Sequence, residues 1–206
     1  SKSLENDLKS KGISFLYGED DWVIHNKEKK IELKNNQFLN YGHLINCAGL
    51  QSDKIAHQFG VAKEYYLVPF KGIYWGINKD FPVEIKTNIY PVPDLKMPFL
   101  GIHFTPTFNY DFPVSIGPTA NLALGRENYK GIERIEPIST LRNISLLLNQ
   151  YFLNKGNFRN YFHEQAFLSL TPLFFKEAKK LVPSLKPEYL KLSEKVGIRS
   201  QVFNKR

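Results

Sequence analysis

The chain has 206 residues, of which 42% are hydrophobic and 23% charged, ordinary globular usage that excludes intrinsic disorder; aromatics are high at 14%. One cysteine, Cys47, excludes an internal disulfide, and five scattered histidines lack zinc-ligand spacing, so no metal is expected and a reducing, cytoplasmic setting is. The formal charge of +8 would suit nucleic acid, but lysines interleave with glutamates, as in Lys27-Glu28-Lys29-Lys30, and no nucleic-acid motif accompanies them; a basic mouth for a dicarboxylate explains the excess equally well.

In chain order, Leu4 and Leu8 repeat at helical spacing and Gly12 stops the pattern, as a C-terminal glycine does. Strands are expected at 13–17, 22–26 and 30–33, the last two as a hairpin across charged turn residues. The apolar run His43-Leu44-Ile45-Asn46-Cys47-Ala48-Gly49 predicts a strand ending at a glycine, and 51–59 a helix. From residue 67 to about 123, aromatic and β-branched segments broken by Pro and Gly predict a sheet, with strands at 68–77, 87–92, 99–105 and 114–116. After Pro137, Leu141, Ile144, Leu147, Leu148, Tyr151 and Phe152 share one helical face. A second helical stretch spans 160–181 with a break at Pro172, and a strand is expected over 196–203. No run approaches the ~18 apolar residues of a membrane span.

Two small residues between a strand and a helix, Ala48 and Gly49, allow a ligand to approach the backbone, although such pairs more often only permit tight packing. The longer segment Asn46-Cys47-Ala48-Gly49-Leu50-Gln51-Ser52-Asp53 resembles the strand-to-helix crossing of D-amino-acid-oxidase-like flavoproteins. Val68-Pro69-Phe70-Lys71-Gly72-Ile73-Tyr74 is similar to the strand that enters their substrate domain. Asn88-Ile89-Tyr90-Pro91-Val92-Pro93-Asp94, Pro98-Phe99-Leu100-Gly101-Ile102-His103-Phe104-Thr105-Pro106 and Gly117-Pro118-Thr119-Ala120 resemble the L-2-hydroxyglutarate dehydrogenase/oxidase branch. Gly197-Ile198-Arg199-Ser200-Gln201 resembles its late, arginine-bearing strand.

The resemblance implies an α+β fold: a remnant of an FAD-binding domain at 1–64, then a substrate-binding domain at 65–206 with a mixed or antiparallel sheet flanked by helices. The final strand, near 195–204, would return toward the flavin domain. It implies FAD as cofactor and oxidation of L-2-hydroxyglutarate to 2-oxoglutarate. That reaction needs a hydride acceptor, a base and a cation for carboxylate. Arg199 suits the carboxylate clamp, against the alternative of a surface ion pair. His103 is the candidate base, against a buried structural histidine. Tyr90, as a hydroxyl donor, and Lys71, as a charge near substrate or flavin, are secondary candidates. Ala48, Gly49 and Gly72 are the candidate cofactor contacts, with Gly72 alternatively marking a bulge.

No Gly-x-Gly-x-x-Gly follows a strand in this sequence, and in the family that motif precedes the point where this chain begins. The expectation is therefore an internal fragment that holds FAD weakly by itself. Two alternatives stand beside this reading: a related amino-acid or amine oxidase, and a non-catalytic chain that complements a separate flavin domain. The electron acceptor, oxygen or a membrane quinone, is left open, and with a quinone goes peripheral association at the inner face of a membrane.

Overall fold

The computed structural model describes residues 2–19, 21–92 and 101–205. The segment 93–100, which holds Asp94 and Pro98 of the family-like run and the start of the strand expected at 99–105, lies outside the described residues.

Helix α1 spans Lys2–Ser10, and Gly12, at φ 84°, turns the chain out of it. The hairpin forms as expected: β1 (Trp22–His25) pairs antiparallel with β2 (Lys30–Leu33), Trp22 opposite Leu33. A third strand, β3 (Phe38–Asn40), adds to β2. The strands expected at 13–17 and 43–49 are not formed. A strand exists only where a ladder satisfies its backbone, and no described strand pairs with either segment. The chain then enters a 3₁₀ turn at Gly49–Gln51 and helix α2 (Ser52–Gln58), matching the expected helix.

The larger sheet is antiparallel and organised by β4 (Tyr65–Ile77), thirteen residues long. One edge of β4 pairs along its length with β8 (Leu190–Asn204), Phe70 opposite Arg199 and Gly72 opposite Gly197. The other edge is shared end to end by β6 (Val114–Gly117), opposite 75–77, and β7 (Asn121–Leu122), opposite 70–71. Strand β5 (His103–Pro106) pairs with β6 and finishes the sheet. A cis Gly117-Pro118 bond links β6 to Thr119, whose N–H donates to the Ile73 carbonyl at 3.1 Å. Of the strand expected at 87–92, only a bridge between Ile89 and Phe104 forms.

Helices α3 (Pro137–Leu153), α4 (Phe158–Leu168) and α5 (Thr171–Leu181) complete the α+β fold. The expected 160–181 stretch divides at Ser169–Leu170, and Pro172 sits in the first turn of α5, where its missing N–H costs nothing. The α5 side chains Phe174 and Ala178 pack on Ile77, Phe104, Val114 and Ile116 of the sheet. Full burial of such side chains stabilises by about 1.5–3 kcal/mol each. On α3 the apolar stripe is wider than its packed face: Leu147 is buried, but Leu141 and Phe152 are each 69% exposed.

Candidate active site

The even-numbered face of β4 displays Phe70, Gly72 and Tyr74, because side chains alternate along a strand. Arg199 and Gly197, opposite Phe70 and Gly72, share that face, and His103 reaches it through its pairing with Gly117. Together with Pro118, Thr119, Ala120, Ile198 and Gln165 of α4 they line a cleft of about 210 Å³. No acidic side chain is among these residues. The volume falls below the roughly 300–1,000 Å³ of a complete ligand pocket, so these residues form one wall of a site.

Glycine at 72 and at 197 serves different ends. A Cβ on Gly72 would lie 2.7 Å from the Pro118 Cβ, so packing against Pro118 already requires a glycine there. A Cβ on Gly197 would meet nothing within 4 Å, so this glycine opens the cleft floor beside Arg199.

The His103 imidazole is held at 3.1 Å from the Gly101 carbonyl through Nδ1. A carbonyl only accepts, so Nδ1 carries the hydrogen and Nε2 of the neutral ring is the proton acceptor. Tyr90 stacks on this ring at 4.8 Å between centroids and is itself 46% exposed. Arg199 is exposed overall, yet partial desolvation of its guanidinium lowers its pKa, with Tyr161 and Tyr74 opposing that shift. An arginine remains a cation through any such shift.

Not every sequence candidate reaches the cleft. Lys71 points to the opposite sheet face by strand alternation, and its Nζ donates to Asn128 Oδ1 at 2.9 Å. Desolvation lowers its pKa. Asn128 is 1% exposed and also donates to the Gly131 and Glu133 carbonyls, so Lys71 braces a loop. Ala48 lines a separate cavity of about 230 Å³ with Trp22, Ile24, Ile31 and Ile55. Gly49 adopts φ 52° with nothing near its Cβ position. The crossing is tied locally by Asn46, whose Oδ1 accepts from Ala48 N at 3.2 Å and whose Nδ2 donates to the Ser52 carbonyl at 2.8 Å. A larger apolar groove of about 850 Å³, between α3, α4 and the sheet, meets the cleft at Phe70, Ala120 and Gln165 but lacks Arg199 and His103.

One ion pair at the junction was not singled out by the sequence. Arg126, 1% exposed, donates to Leu50 O and to both Asp53 oxygens, the Nη2 to Oδ2 distance being 2.8 Å. Asp53 also accepts the Leu67 N–H at 3.0 Å, so one guanidinium joins the crossing, α2 and the start of β4. Burial pushes the Asp53 carboxyl up, but the Arg126 guanidinium and the Leu67 and Lys54 N–H groups outweigh it, leaving the pKa below the usual carboxylate value.

Among known proteins, the sequence matches the family described as FAD dependent oxidoreductase (DAO) over residues 2–202. A mitochondrial L-2-hydroxyglutarate dehydrogenase of Caenorhabditis elegans is 46% identical over 103 residues, covering 50% of this chain and 23% of the relative. The mitochondrial enzyme of that name from Mus musculus is 30% identical over 206 residues, covering 98% of this chain and 43% of the relative. An L-2-hydroxyglutarate dehydrogenase of Indibacter alkaliphilus is 47% identical over 88 residues, 42% of this chain and 22% of the relative. The chain thus spans less than half the length of each. The animal relatives, mitochondrial by name, correct the expected cytoplasmic, inner-membrane-face location. A lone cysteine reports a reducing compartment without distinguishing one such compartment from another. With its family-like blocks carried on the predicted α+β framework and a match spanning nearly its whole length, the chain belongs to the FAD dependent oxidoreductase family.

Proposed function

We propose that this chain supplies the substrate-side wall for FAD-dependent oxidation of L-2-hydroxyglutarate to 2-oxoglutarate in the complete enzyme. The observation that carries this reading is the convergence of Arg199 and His103 on one cleft that, among the described residues, no acidic side chain lines. Arg199 would hold a substrate carboxylate through two parallel hydrogen bonds, fixing the orientation of C2. His103 Nε2 would accept the hydroxyl proton as the carbonyl forms, its tautomer already set by Gly101.

The residues present fit the ring-facing side of the cofactor: the open Gly197 floor and the aromatic Tyr74 and Phe70 suit a planar group. Of the small residues expected at the cofactor, Gly72 is packed against Pro118, and Ala48 belongs to a separate cavity, so neither carries this reading. FAD held beside Gly197, Tyr74 and Phe70 would supply the acceptor for the hydride that leaves C2 of the substrate. The relatives named for L-2-hydroxyglutarate support the choice of substrate over an amino acid or amine.

Anaerobic mixing of the complete, FAD-loaded enzyme with candidate substrates tests this. L-2-hydroxyglutarate should bleach the flavin, while glycine and sarcosine leave it oxidised. Bleaching by the amines alone would overturn the proposal.

A further inference from the structure

We propose that Lys195 is the partner of the second substrate carboxylate, and so selects a dicarboxylate over a monocarboxylate; this rests on the reading given under Proposed function. An acid with two carboxylates needs two cations, and Arg199 supplies one. Gly197 and Arg199 share one face of β8 by alternation, and Lys195 leaves the irregular stretch that lies between the paired residues Leu192 and Val196. Lys195 confirms its side by standing over the Tyr74 ring at 4.7 Å from the centroid, and Tyr74 lines the cleft. Four residues of strand place the two Cα atoms roughly 13 Å apart. Two long basic side chains bending inward across that span leave a gap suited to a short diacid, above the floor that Gly197 opens.

The Lys195 ammonium is free to take this role. Its ammonium rests on the ring face, and no carboxylate lies within ion-pair distance of it among the described residues. A cation resting on the half-buried Tyr74 ring makes no charge-assisted hydrogen bond there, and a substrate carboxylate offers one. The register of β8 against β4 shifts between Ile73 and Trp75, next to Lys195, and the backbone N–H of Lys195 donates to Ser193 Oγ at 3.1 Å. That local irregularity fixes the backbone from which the side chain leaves.

The test uses the complete, FAD-loaded enzyme with Lys195→Met and Lys195→Arg, which change an exposed side chain outside the packed core. Each is assayed with L-2-hydroxyglutarate and with L-2-hydroxypentanoate, of equal carbon number but lacking the second carboxylate. Lys195→Met should raise KM for the diacid at least tenfold and change KM for the monoacid less than twofold, with Lys195→Arg close to wild type. Calorimetric binding of 2-oxoglutarate should weaken in parallel. An active wild type whose Lys195→Met variant keeps its KM ratio between the two acids overturns this inference alone. A wild type inactive on L-2-hydroxyglutarate overturns the proposed function and the inference with it.

Discussion

Replacing Arg126 with Met removes the cation that holds the crossing to the sheet, and the cost follows from burial. The side chains of Arg126 and Asp53 are 1% and 7% exposed, so the variant leaves a carboxylate in a nearly dry site and the Leu50 carbonyl without its donor. Breaking a buried pair from one side costs about 3–5 kcal/mol. At roughly 2–4 °C per kcal/mol for a chain of this size, Tm should fall by roughly 6–20 °C. The sign of the pH dependence is also fixed. In the wild type the folded Asp53 pKa lies below its ordinary value, so the pair's stability is present above that ordinary value, about 3.9, and is lost as pH falls through the folded pKa. In Arg126→Met the guanidinium is gone and only the Leu67 and Lys54 N–H groups oppose burial, so the Asp53 pKa rises relative to the wild type and acidification neutralises the stranded carboxylate sooner. The Tm gap between the two proteins should therefore be widest near neutrality and narrow toward pH 4. Thermal unfolding followed by circular dichroism across that range measures both. A gap under about 2 °C at pH 7, or one that widens on acidification, refutes the reasoning.

His103→Asn in the complete enzyme should lower kcat by about 10²–10⁴-fold in anaerobic flavin reduction by L-2-hydroxyglutarate; a variant as fast as the wild type assigns the base elsewhere. Gly72→Ala pushes a methyl to 2.7 Å from Pro118 and should destabilise by about 1–3 kcal/mol in chemical denaturation. Gly197→Ala meets nothing within 4 Å and should unfold like the wild type, and equal losses for the two would contradict the packing described.

What the sequence discloses is local pattern. Alternation and turn chemistry are enough for the β1–β2 hairpin, and helical spacing is enough for α3. Partners are not written in a single segment. The 43–49 run has the composition of a strand, but no described strand supplies its ladder, so it remains irregular. The exposed Leu141 and Phe152 lie on a true helical face, but which part of that face packs depends on neighbours distant in sequence. The family-like blocks drew attention to Arg199 and His103, which line one cleft, and period-2 alternation explains why Lys71, next to Gly72, faces away. Arg126 carried no local signal. It lies 73 residues from Asp53, and only the folded chain brings the two together. A single polar residue flanked by Gly125 and Glu127 reads as surface until that pairing is seen.

The central claim is that the Arg199 cleft receives the substrate carboxylate, and steady-state kinetics of Arg199→Met in the complete enzyme tests it most directly. The account predicts a KM for L-2-hydroxyglutarate raised about 100-fold or more, the loss of a charge-assisted bidentate contact. A KM equal to that of the wild type would remove Arg199, and the cleft with it, from the site of reaction.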